Sequence, residues 1–123
     1  MKVKIVAPIF GFEKINEADF EEIDEFFSKI ESGDVSFTLI DPVKLREYSF
    51  DIPPFYKELL KLESIEDASV YNTVIISSEI EKSRINFAAP IIINKKENLL
   101  VQVALDESKY KDFGLAEPIS DYL

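Results

Sequence analysis

The sequence predicts a mainly β protein, a small antiparallel β-barrel or sandwich with one or two short helices. Three observations carry this expectation. Residues 84–94 and 99–106 are two runs rich in β-branched and apolar side chains around a short polar connection, a strand–turn–strand pattern in the most apolar part of the chain. Alternating segments separated by turn signals recur along the rest, giving about seven strands in all. Only one stretch, after Pro53-Pro54, has a convincing helical pattern. No internal repeat or low-complexity linker divides the 123 residues, so we expect a single domain over residues 1–123.

Taken in order, Lys2, Val3, Lys4 and Ile5 alternate as a half-buried first strand. Gly11, between Phe10 and Phe12, marks a bend. Residues 13–34 carry nine acidic and two basic residues, which predicts a solvated face. Within them Phe20, Ile23, Phe26, Phe27 and Ile30 recur at helical spacing, so periodicity alone favours an amphipathic helix, although short strands are also permitted. Ser32-Gly33-Asp34 is a turn, residues 35–40 are a strand, and Asp41-Pro42 ends it. Residues 45–52 alternate again, which predicts another strand. Pro53-Pro54 opens a helix of about two turns ending near Lys61 or Leu62, with Phe55, Leu59, Leu60 and Leu62 as its apolar face. An acidic loop over 63–68 leads into a long strand over 69–78, apolar on both faces and therefore central. Pro90 lacks a backbone donor, so its place is an edge or a bulge. After Asp106 the pattern weakens to a loop, then to one helical turn started by Pro118. We expect this end to be comparatively mobile.

Composition excludes several functions. There is no histidine and no cysteine, which removes the common nucleophile triads, disulfides and most transition-metal sites. The only glycines are Gly11, Gly33 and Gly114, so no phosphate-cradling loop exists. Neither a cofactor nor a metal is expected. The remaining enzymatic reading is a carboxylate-pair hydrolase, with Asp41 or Asp51 facing Asp106 in a deep pocket. Prolines next to Asp41 and near Asp51 favour turn roles for these residues instead. The net charge of −10 repels phosphate backbones and argues against direct nucleic-acid binding; it fits either a solubilising surface or steering towards a basic partner, and on composition alone solubility is the default. No apolar run can span a bilayer, and the apolar part of residues 1–8 is too short for a secretory signal, so we expect a cytoplasmic protein.

Four stretches together resemble a known family. They are Pro8-Ile9-Phe10-Gly11-Phe12-Glu13, Phe37-Thr38-Leu39-Ile40-Asp41-Pro42, Tyr48-Ser49-Phe50-Asp51-Ile52-Pro53, and Asn86 with Ala89-Pro90-Ile91-Ile92-Ile93-Asn94 followed by Gln102-Val103 and Leu105. In order and spacing they are similar to the bacterial flagellar assembly factor FliW, from about Pro8 to the C-terminus. The resemblance implies two strands joined by a short turn for 13–34. It implies a regulatory protein and not an enzyme: an allosteric antagonist of the translational regulator CsrA and a binding partner of flagellin, coupling flagellin synthesis to export by partner switching. A flagellin chaperone without CsrA antagonism is the alternative, with an exposed strand at the Pro90 edge as its receiving surface. The expected contact residues are the carboxylates Asp106, Glu107, Asp112, Glu117 and Asp121, with Phe87, Pro90 and Phe113 as the apolar part. We expect a monomer when free. The chain stops at Leu123, shortly after the last turn, so an acidic extension that displaces RNA is not expected to contribute.

Overall fold

The computed structural model describes residues 1–122. Strands β1 (Lys2–Ala7), β2 (Glu17–Glu22), β3 (Phe27–Ser32) and β4 (Val35–Ile40) form an antiparallel meander. Helix α1 (Pro54–Leu59) follows, then β5 (Ala68–Ile75), β6 (Arg84–Ile85), β7 (Ile91–Asn94), β8 (Leu99–Gln102) and β9 (Glu117–Pro118). β5 pairs with β4 on one side and with β7 on the other, β7 pairs with β8, and β8 closes on β1. The result is a closed seven-stranded barrel, with β6 and β9 added alongside β5. Every pair in the ring is antiparallel except β1–β8, which is parallel. The odd count requires this, because directions that alternate around seven strands must repeat once at the closing seam.

Three apolar clusters fill the molecule. The barrel interior holds Val3, Ile5, Phe20, Ile30, Leu39, Ile91, Ile93 and Leu100. Outside the wall, Ile52 and Leu60 pack on Ile92, Leu99 and Val101, with α1 above them. The β7–β8 hairpin is therefore buried on both faces, which is why its sequence is continuously apolar and does not alternate. A third cluster joins Tyr48, Val74, Ile85, Phe87 and Ile119 beside the β5–β6–β9 extension. No helix among the described residues is long and apolar enough to cross a membrane.

Several expectations change. Within residues 13–34, β2 and β3 are the two strands joined by a short turn that the resemblance implies, and not the amphipathic helix that periodicity alone favours. The Asp24 carboxylate accepts the amides of Phe26 and Phe27 at 2.8 Å each and sets the turn. Ile23 and Phe26 are exposed on that turn, so the helical stripe was never one face. Residues 45–52 are not a strand. Tyr48 and Ile52 do turn inward, but the backbone joins no ladder, and the Asp51 amide bonds instead to the Tyr110 hydroxyl at 2.9 Å. Pro90 sits in the irregular connection between β6 and β7, immediately before β7, where no ladder needs its missing donor. It is buried, and its carbonyl accepts the Val103 amide, so it forms no exposed edge for a partner strand. The C-terminal turn over Ile119–Tyr122 is present, and the segment is docked: β9 pairs with β6, Ile119 is buried, and its amide bonds to the Ser83 carbonyl. Leu123, the last residue of the predicted turn, lies outside the described residues.

Candidate partner-contact surface

The C-terminal segment is built on Arg46. Its guanidinium lies over three rings, 5.1 Å from Phe113, 5.2 Å from Phe87 and 5.8 Å from Tyr122. It donates to the Asp112 carbonyl and to the Tyr122 hydroxyl, both at 3.2 Å, and pairs with Glu117 at 3.8 Å. Glu117 in turn accepts the Gly114 amide and the Tyr122 hydroxyl. Burial first, and then the Glu117 carboxylate, raise the Tyr122 phenol above its ordinary pKa. A Cβ at Gly114 would stand 2.6 Å from Glu117 Cγ, so any larger residue there would require the Glu117 side chain to shift. The second arginine, Arg84, donates to the Ala116 carbonyl at 3.1 Å. Both arginines of the chain thus grip the same segment.

This frame positions the expected contact residues. Asp106, Glu107, Asp112 and Asp121 are exposed. Asp106 accepts the Ser108 hydroxyl at 2.7 Å and the Ser108 amide at 2.9 Å, and these bonds lower its pKa. Glu107, Asp112 and Asp121 make no ion pair among the described residues. Glu117 is half-buried and tied to Arg46, so its role is to hold the segment. Phe113 is half-buried, 4.5 Å from the Tyr48 ring and stacked on Tyr110. Phe87 is fully buried and Pro90 is buried, so both belong to the core and offer no surface in this structure. Sequence reasoning passed over Leu115. It is 70% exposed between Gly114 and Ala116, and an apolar residue among small ones in a charged loop was its signal.

The residues shared with the resembling family are largely architectural. Asn86 Oδ1 accepts the amides of Ala88 and Ala89, shaping the connection before Pro90. Gln102 donates to the Ala89 carbonyl and accepts the Phe10 amide, tying two loops together. Tyr48 donates its hydroxyl to the Phe87 carbonyl at 2.6 Å and accepts from the Asn72 carboxamide at 3.2 Å. Burial pushes the Tyr48 phenol up to about 12.

The carboxylate-pair arrangement does not assemble as a general acid and base. Asp51 and Asp106 do line one groove, with Lys109 between them, and Lys109 Nζ contacts Asp51 at 3.1 Å. The Asp51 side chain is 87% exposed, and Asp106 is held below its ordinary pKa, the opposite of what a proton donor needs. Asp41 does not line this groove and accepts the Val43 amide across its own turn. No cluster of three or more metal-ligating side chains occurs among the described residues.

Comparison with known proteins places this arrangement. The profile of the family described as FliW protein matches residues 2–113. A flagellar assembly factor FliW 1 from Wolinella succinogenes is 40% identical, aligned over all of this chain and 98% of its own length. The flagellar assembly factor FliW of Campylobacter lari is 39% identical over all of this chain and 97% of its own, and that of Helicobacter pylori strain G27 is 40% identical over all of this chain and 95% of its own. A crystal structure of the flagellar assembly factor FliW superposes with a TM-score of 0.85, covering 96% of this chain and 84% of that one, at 21% identity, a likeness of fold. With a profile match over nearly the whole length and relatives at this identity, the chain belongs to the FliW family.

Proposed function

We propose that this protein is a flagellar assembly factor that acts by binding other proteins. It antagonises CsrA, binds flagellin, and couples flagellin synthesis to export by exchanging one for the other. The observation that carries the reading is full-length similarity, at 40% identity, to relatives named as flagellar assembly factors. In this reading the whole chain works in the cytoplasm as one domain, monomeric when free, without a cofactor and without touching nucleic acid. The net charge of −10 supports a basic target, since complementary charge speeds encounter and rejects wrong partners. Asp106, Glu107, Asp112 and Asp121 supply charge on the contact surface, and Phe113 and Leu115 its apolar part.

The test is calorimetric titration with purified CsrA, repeated after saturation with monomeric flagellin. Binding to CsrA that flagellin suppresses is the expected result. Binding to flagellin alone moves the protein to the chaperone role. Binding to neither overturns the reading.

A further inference from the structure

The barrel closes unevenly between β4 and β5. Their ladder runs from Thr38↔Val74 through Ile40↔Asn72 and stops there. Continued in this register, Asp41 would face Tyr71, and the next position of the same hydrogen-bonding parity as Ile40↔Asn72 would bring Pro42 opposite Val70. Pro42 has no amide hydrogen, and it begins a 3₁₀ turn in which its carbonyl accepts the amides of Leu45 and Arg46. On the far side of β5, Ser69 and Tyr71 pair with Ile93 and Ile91 of β7, whereas the Pro90 carbonyl, in register with Ile92, points to β8. The alternation of an antiparallel ladder then turns the amide and carbonyl of Val70 away from β7, towards the gap that Pro42 leaves. The Val70 backbone has no strand partner there.

This unpaired edge opens onto an apolar groove with a volume of about 290 Å³. Val43, Phe50, Ile65 and Val70 line it, and Val43 and Ile65 at its rim are 64% and 62% exposed. Asp41 lines it as well, and Glu66 flanks Ile65. The two turns that bracket the groove carry three carboxylates, Asp41, Glu66 and Asp67, and one cation, Lys44, and Asp67 is engaged by Lys96. An edge with one free amide and carbonyl selects an extended chain over a helix. The apolar rim selects side chains at alternate positions, and the carboxylates select a basic flank.

We propose that the Pro42–Val70 gap is a strand-addition site. Its occupant is an extended segment of a protein partner, apolar at alternate residues and carrying Lys or Arg between them. The proposal rests on the reading that this chain acts by binding proteins, and names where and in what conformation one partner segment sits.

The probe is a blocked hexapeptide, Lys-Val-Thr-Val-Lys-Val, followed by amide exchange and by chemical shifts in the full chain. The Val70 amide is expected to become at least about tenfold more protected. Binding is expected to weaken about tenfold or more when alternate peptide amides are N-methylated, when the lysines are replaced by glutamates, or when the protein carries Ile65→Lys or Val43→Lys. Both substitutions are at exposed rim positions, so the fold survives them. Absence of Val70 protection overturns the proposal. So does equal binding of the N-methylated peptide, equal binding of a helical peptide of the same composition, or self-association that protects Val70 without peptide. Peptide binding with Val70 protection upholds the site even if CsrA and flagellin both fail to bind, and its absence overturns the site even if they bind.

Discussion

Tyr48 is where burial, hydrogen bonding and ionisation meet in one side chain. Its hydroxyl bridges the Phe87 carbonyl and the Asn72 carboxamide inside the third cluster. Tyr48→Phe keeps the ring and removes the bridge, leaving the buried Phe87 carbonyl without that donor. The expected cost is about 1–2 kcal/mol at neutral pH, read from the urea midpoint. The same residue sets an alkaline limit. Its folded pKa of about 12 lies above the ordinary value of 10.0, so the unfolded chain gives up the proton first. The stabilisation is whole below about pH 10 and is lost as pH rises towards about 12. Tyr122 is raised too and adds in the same direction. Urea midpoints should therefore fall between about pH 9 and about pH 12, and those of Tyr48→Phe should fall less steeply; parallel curves would remove Tyr48 from the account. Arg46 makes a second prediction at this scale. Arg46→Met should cost about 2 kcal/mol through lost ring contacts and an unpaired Glu117. Arg46→Lys should recover little of it, since a lysine cannot lie flat against three rings. Equal urea midpoints for Arg46→Lys and the unaltered chain would contradict this. The sequence held a clue to Arg46 that pattern reading missed: one of only two arginines, set in an alternating segment of a chain whose other cations are mostly lysines. Its partners come from positions 87 to 122, so no local window contains the cluster.

Among the elements, α1 depends on a residue of the hairpin below it. Asn94 donates to the Leu60 carbonyl at 2.8 Å, where the helix ends, and its oxygen accepts the Lys96 amide at 3.1 Å in the β7–β8 turn. One side chain thus caps the helix and shapes the turn. Asn94→Ala should cost about 2 kcal/mol. Amides of residues 57–62 should exchange faster before those of β7 and β8 do, and uniform acceleration across both elements would refute the cap. The hairpin itself was legible because two faces of burial leave an unbroken apolar run. The helix was legible from its prolines. Residues 13–34 were not legible from period alone, because Ile23 and Phe26 fall by chance at helical spacing while Asp24 makes the turn between β2 and β3. Residues 45–52 failed for a different reason. Alternation reports which side chains turn inward, and Tyr48 and Ile52 do, but it cannot report whether the backbone has a neighbour to pair with.

At the scale of the whole molecule, closure and charge decide what the surface can do. The parallel β1–β8 seam joins the first strand to the last of the barrel, a pairing of sequence-distant elements. No turn signal encodes it. It follows from an odd strand count once closure is assumed, which the sequence left open between barrel and sandwich. Closure removes edges that would otherwise pair with other chains, so contacts must come from loops, from the docked C-terminal segment, or from gaps such as the one at Pro42. Charge then separates two accounts of the acidity. If the net charge of −10 acts only as a whole, any reversal of equal size slows a basic partner equally. If the C-terminal surface is the contact, position matters. Glu107→Lys with Asp112→Lys and, as a control, Glu25→Lys with Glu58→Lys each shift the net charge by four units, and all four side chains are exposed. The first pair should lower the association rate with CsrA by about tenfold at low salt and flatten its salt dependence. The control pair should lower it by about twofold, and the dissociation rate should change little in both. Indistinguishable rates for the two variants would mean that the acidity steers from the whole surface, and would remove the C-terminal carboxylates from the contact.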